Sequence, residues 1–300
     1  MLDTSGADSV QSWKKVGTRP RAAPALRCAI TLLLLNGFGL SLAAQTAEDL
    51  VSRAAAAYQR GDRAVAIEIL SEVLDADPDD LEALSLDASI RERAGELEEA
   101  LDRYDRLVEG LPDNPRAHMG RGQVLFRMGR IEDSVSDFDR VVELDAQAGP
   151  YLWQRGIAQY YSGRFAACKE QFESHLTVNA ADVENAVWHF LCVARLEGLD
   201  AARAAILPVG EDPRTPMPEI YQLYRGSLDV EDVLSAARAG IAGDGRRLDD
   251  LFYARLYVGL YHLIEGRPAQ AEAELRAAVE LGFPHYMGDV ARIQLGLLEP

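Results

Sequence analysis

Histidine, cysteine and the carboxylates are the residues of this 300-residue chain whose types and spacing could do chemistry. The five histidines, His118, His175, His189, His262 and His285, are dispersed. None forms the i, i+4 pair around a glutamate with which a helix holds zinc and its general base, and no Cys/His cluster has metal-ligand spacing. Cys28 sits in an N-terminal apolar run, which leaves Cys168 and Cys192, 24 residues apart. Each falls at a small, buried slot of its helix, so two separate core thiols are expected rather than a bridge. Phosphate-cradling glycine loops and nucleophile elbows do not occur. The carboxylates gather in segments such as ELEEALDRYDRLVE (96–109), where helical spacing puts them on a solvated face. The expectation is a chain that is not an enzyme and uses neither metal nor cofactor.

Charge narrows the partners. The formal net charge is −17. Five basic and two acidic residues give the first 44 positions +3, which leaves −20 on the rest. Nucleic-acid binding needs a clustered basic face, so it is excluded as the main role. The basic stretch from Lys14 to Arg27 precedes an apolar run, CAITLLLLNGFGLSL, from Cys28 to Leu42, and small residues at Ala43 and Ala44 suit cleavage before Gln45. This is the layout of an export signal. The run is shorter than the about 20 residues of a membrane span, so the mature chain is expected to have none. Cys28 opens the run, whereas a lipidated cysteine closes one. The expected location is exported, periplasmic or secreted.

The elements that position these residues announce themselves by repetition. Gly61, Gly95, Gly129 and Gly163 recur every 34 residues. Seven before each stands Ala54, Ala88, Gly122 and Gly156; five after, Ala66, Ala100, Ser134 and Cys168; nine after, Leu70, Tyr104, Phe138 and Phe172. The glycine ends a first helix in a left-handed cap, small residues let two antiparallel helices approach, and the large residue fills the space toward the next unit. Pro78 and Pro112 close the second helices of the first two units. Ala146 and Ala180 hold the equivalent places in units three and four, where the turns are less sharply defined.

This grammar, carried by segments such as GDRAVAIEILSEVLDADP and GELEEALDRYDRLVEGLP, resembles the tetratricopeptide repeat (TPR). The resemblance implies an all-α fold, a right-handed superhelix of antiparallel helix pairs whose first helices line a concave face. The reading divides the chain into a signal at 1–44, four units at 45–182, a divergent helix pair and proline-rich irregular segment at 183–248, and a returning unit with a capping helix at 249–300. In the last, Gly259, Gly266, Ala271 and Leu275 reoccupy the repeat slots, and a helix from Met287 to Leu298 should cover the final unit. The plan, including RGIAQYYSGR (155–164), is similar to periplasmic TPR proteins of the NlpI type, though without a lipobox. That resemblance implies a scaffold or adaptor for envelope proteases or peptidoglycan hydrolases, and a homodimer.

A partner peptide or helix is expected along the first-helix face. Counting from the repeat glycines gives Ser85, Ser89, Glu92 and Arg93, then Met119, Gln123, Phe126 and Arg127, then Trp153, Ile157, Tyr160 and Tyr161. Aromatics beside arginine are the residue types that anchor interfaces, and a methionine adapts to different partners. Burial of Trp153, Tyr160 and Phe126 by the C-terminal segment is the competing expectation. Arg121 and Arg155, each preceding a slot glycine, are expected to pair with second-helix carboxylates such as Asp137 or Asp139. The alternative function is an accessory or regulatory subunit that binds a small ligand or glycan through the irregular segment 207–248. An aromatic-lined closed pocket there would favour it.

Overall fold

A computed structural model describes residues 47–239 and 247–298, within one compact unit, Ala47–Pro300. The export-signal region and most of the loop expected at 243–247 lie outside the described residues. The four repeats are α1 (47–59) with α2 (Arg63–Ala76), α3 (Leu81–Ala94) with α4 (Leu97–Gly110), α5 (Pro115–Arg127) with α6 (Ile131–Leu144), and α7 (Trp153–Tyr161) with α8 (Phe165–Leu176). Next come α9 (Val183–Glu197) with α10 (Leu199–Ala205), α11 (Met217–Arg225) with α12 (Val230–Ala239), α13 (Arg247–Ile264) with α14 (Pro268–Glu280), and α15 (Tyr286–Gly296). The array is an all-α TPR superhelix with an irregular insertion and a C-terminal helix. The less defined turn after unit three is a 3-10 helix, Ala146–Tyr151.

The phase glycines do what their spacing implied. Gly95 has φ +79°, and Gly61, Gly129, Gly163 and Gly266 share that left-handed conformation. In each case the amide one residue later donates to the carbonyl five residues before it, as Glu96 does to Arg91 at 3.0 Å and Arg164 to Gln159 at 2.8 Å. That bond closes the first helix and turns the chain at once into the second. The first helices α3 and α5 start differently, from a polar side chain: Asp80 accepts from the Ala83 amide and Asn114 from the Arg116 amide.

Close approach decides the other slots. A Cβ built on Gly156 would lie 2.7 Å from the Phe172 ring, and one on Gly259 would lie 2.7 Å from Leu275 Cγ. Ala66, Ala100, Ser134 and Cys168 are fully buried where paired helices touch. The arginines beside the glycines pair as expected: Arg121 Nε donates to Asp137 at 2.7 Å and Arg155 Nε to Asp139 at 2.8 Å. The two ring nitrogens of His118 face two acceptors, the Asp137 carboxylate and the Pro112 carbonyl, each at 2.9 Å, which leaves it a structural histidine.

One expectation is overturned. Cys168 and Cys192 are disulfide-bonded, with Cα atoms 6.1 Å apart. The slot that makes each cysteine small and buried also faces it toward the neighbouring pair, α8 against α9, so both sulfurs occupy the same inter-helix contact.

Two apolar cores share the unit. One, from Ala54 to Leu125, fills α1–α5; the other runs from Phe126 to Leu295. The change falls inside α5, because α15 folds back to pack on that helix as well as on α14. The expected capping helix therefore covers more than the last unit.

Candidate binding site

The first-helix face follows the two cores. In the first units it stays at the surface: Ser85 and Arg93 are exposed, and Ser89, Met119 and Gln123 are partly buried. From the end of α5 onward it turns inward. Phe126 and Tyr160 are buried, and Trp153 and Tyr161 are half-buried. The chain's own α15 lies against them. Tyr286 stacks on Phe126 with ring centroids 4.8 Å apart and meets the edge of Trp153 at 5.2 Å.

Arg127 locks this closure. Its Nε donates to Asp289 Oδ2 at 2.6 Å and its Nη1 to the Glu92 carbonyl at 2.7 Å, which joins α3, α5 and α15. Asp289 is 1% exposed and the Arg127 side chain 9%. Arg127 therefore serves the fold, and a buried pair of this kind is costly to break from one side. Tyr160 and Tyr161 are likewise placed by packing, in edge-to-face contact with each other and with Trp188.

Closure leaves a cavity of about 330 Å³ on the inner side. Trp153 and Ile157 of α7, Phe172 of α8 and Trp188 of α9 form its apolar walls, and Tyr286 and Met287 of α15 complete them. The polar side comes from α9 and the irregular segment. Arg214 donates to Glu184 Oε1 at 2.7 Å, to Asp182 Oδ1 at 2.9 Å and to Asp212 Oδ2 at 2.7 Å. The Tyr257 hydroxyl donates to the other oxygen of Glu184 at 2.5 Å. Exposed His285 and half-exposed Arg214 stand at the rim.

The electrostatics follow from this crowding. Burial pushes the Glu184 carboxyl above its usual range despite the opposing Arg214 charge. Burial would also raise Asp182, but His175 and Arg214 beside it hold it below its usual range. Burial works against the charged His175, and the Asp182 carboxylate with the Pro150 carbonyl outweighs it, so that imidazole is raised. Arg214 is held protonated: burial opposes its charge, and the three carboxylates overcome that. Among the described residues, no group of three His, Cys, Asp or Glu side chains is arranged to hold a metal ion.

Of the residues expected to face a partner, Trp153 and Ile157 line this cavity. Asn185, Glu184, Arg214 and Tyr286 escaped sequence reasoning. Asn185 carried a signal: it is a carboxamide on the apolar helix VENAVWHFLCVA, where it is 2% exposed. Arg214 carried none. Among the described residues of the segment 207–248, it is the one that lines this cavity.

Comparison with known proteins agrees with the fold. A tetratricopeptide-repeat family model matches residues 51–115 and 88–150. No curated protein matches the sequence. Among solved structures, a tetratricopeptide-repeat protein of Parabacteroides merdae is similar with 17% identity and a TM-score of 0.56, covering 85% of this chain and 99% of its own. A structure of MamA is similar with 17% identity and a TM-score of 0.50, over 53% of this chain and 87% of its own. At these identities the likeness concerns the fold. No described helix is long and apolar enough to cross a membrane. The in-phase repeats, the family model over residues 51–150 and the helix-pair superhelix together give this chain tetratricopeptide repeats and the fold they build.

Proposed function

We propose that this protein is a non-catalytic scaffold of the bacterial cell envelope that recruits a partner protein along the concave face of its first repeats. The carrying observation is the uneven fate of the first-helix face. Its later part is taken up by α15, while Ser85 and Arg93 stay exposed on α3, with Gln123 partly so on α5. Concave first-helix surfaces are where stacked repeats offer an extended contact. Arg93 makes no ion pair among the described residues, so its guanidinium is available to a carboxylate or an aromatic ring of a partner. An envelope location is supported by the basic and apolar leader at Lys14–Leu42 and by the Cys168–Cys192 bridge, since disulfides persist in oxidising compartments. The resemblance to NlpI-type proteins extends the reading to envelope proteases or peptidoglycan hydrolases as partners, and to a homodimer.

Affinity capture from an envelope fraction tests the face. Wild-type protein should enrich at least one envelope protein, and the Ser85→Arg/Arg93→Glu double variant should lose it with unchanged helical circular dichroism. Retention of every partner by that variant would sink the proposal. Arg127 is unsuited to the experiment, because its loss breaks the buried pair with Asp289 and the bond to the Glu92 carbonyl that join α3, α5 and α15.

A further inference from the structure

The cavity enclosed by α7, α9 and α15 has hydrogen-bonding groups that the protein does not use. Asn185 is 2% exposed, and neither its Oδ1 nor its Nδ2 has a partner within the protein. The Nε1–H of Trp188, also 2% exposed, is unpartnered, and so is the Tyr286 hydroxyl. All three side chains line the same cavity. A buried polar group without a partner costs about 1–3 kcal/mol, so four such atoms around one space point to a ligand that pairs with them.

The charged groups narrow its chemistry. The carboxylate oxygens of Asp182, Glu184 and Asp212 are occupied by Arg214, Tyr257, main-chain amides or Asn179. Arg214 is in turn saturated by those carboxylates. The unsatisfied hydrogen-bonding capacity is therefore all on neutral groups, and the surplus of carboxylate over guanidinium disfavours an anionic ligand. The groups left over are neutral donors and acceptors in mixture, set among the rings of Trp153, Trp188 and Tyr286 that line the cavity. A pyranose ring matches that set: its hydroxyls both donate and accept, and its C–H face packs on aromatic rings. The volume of about 330 Å³ is at the small end of ligand pockets, which suits one ring rather than a chain.

We infer that the cavity is a binding site for a single uncharged sugar ring, held by Asn185 and the Trp188 N–H and stacked against Trp153. Half-exposed Arg214 and His285 frame its entrance and would meet whatever the ring is attached to. This site is separate from the Ser85 and Arg93 face.

The test is tryptophan fluorescence and saturation-transfer NMR on the full chain, with glucose, galactose, mannose and N-acetylglucosamine as neutral probes. Glucuronate and glucosamine serve as charged rings, and glutamine as an amide without a ring. At least one neutral sugar should bind saturably and more tightly than its charged counterpart. Asn185→Leu should weaken it about tenfold or more, a loss on the scale of one hydrogen bond. The same variant should melt no lower than wild type, because it removes an unpaired buried amide. Trp188→Phe, which keeps a ring and deletes the N–H, should weaken binding too, and Ser85→Arg/Arg93→Glu should leave it unchanged. Binding of glutamine or of charged rings alone would overturn the assignment. So would no saturable response to any probe, the result of a cavity that holds only solvent. Unchanged sugar binding in folded Asn185→Leu would overturn it as well.

Discussion

The two halves of this superhelix use one repeat grammar to opposite ends. In α1–α5 each helix pair buries its own small and large slots, and the first-helix face is left to solvent. From the last turn of α5 onward the same slots are filled, but the face is folded inward against α15, with Tyr286 on Phe126 and Asp289 on Arg127. The difference is not in the repeat. It comes from a segment more than 100 residues downstream that supplies an aromatic ring and a carboxylate to that face. An open array can offer a surface; a closed one can enclose a cavity.

The largest expected effect breaks that closure. Asp289→Ala removes the buried carboxylate that Arg127 and Arg292 share, leaves Arg127 with only the Glu92 carboxylate at 4.0 Å, and should cost about 3–4 kcal/mol. Urea unfolding followed by hydrogen exchange should show α7–α15 losing protection while α1–α4 keep theirs. Uniform loss along the chain would mean that the halves are one cooperative unit and that the contrast is only geometric.

Next is the covalent tie, which the open half lacks. The Cys168–Cys192 bridge closes a loop of 24 residues' separation, for which chain entropy predicts about 3 kcal/mol. Cys168→Ala/Cys192→Ala should lower the denaturant midpoint under oxidising conditions, and dithiothreitol should then have no further effect. An unaltered midpoint would show that packing alone holds α8 to α9.

A third pair of variants separates the repeat's two kinds of glycine. Gly156→Ala forces a Cβ to 2.7 Å from the Phe172 ring, an overpacking worth about 1–3 kcal/mol. Gly95→Ala meets no atom within 4 Å and pays only for φ +79°, about 1 kcal/mol. Thermal melts should show that Phe172→Leu relieves the first and that no packing change relieves the second.

The smallest effect sharpens the electrostatics of the cavity. The folded-state Glu184 carboxyl is raised above 4.5, so the native state holds its proton longer than the unfolded chain. Its contribution is full below pH 4.5 and is lost as pH rises through the folded value. Stability of wild type relative to Glu184→Gln should fall over that window. A difference that rises or stays flat with pH would show that Arg214 outweighs burial.

Much of the fold was legible because it is local. A glycine, a small residue and a large residue within one 34-residue unit report the cap and the helix pair that surround them, and Arg121 and Arg155 could be assigned to carboxylates one helix away. The candidate site was legible only in part. Trp153 could be placed on the right face, but Phe126, Arg127 and Tyr160 belong to the same periodic face and perform structural work. Periodicity states which way a side chain points and says nothing of what arrives there. The cysteines show the same limit: a small buried slot suits a thiol or half of a bridge equally, and the packing of α8 on α9 decided for the bridge.

Sequence by itself therefore determined the repeat, its helix boundaries and its all-α class, because backbone caps and slot volumes act over a few residues. Only the tertiary structure decided which stretch of the concave face stays open and where a cavity forms. Those depend on Asp289 meeting Arg127 and Arg214 meeting Glu184, contacts between segments far apart in the chain. No local pattern encodes such a meeting; the energy of burying both partners together selects it.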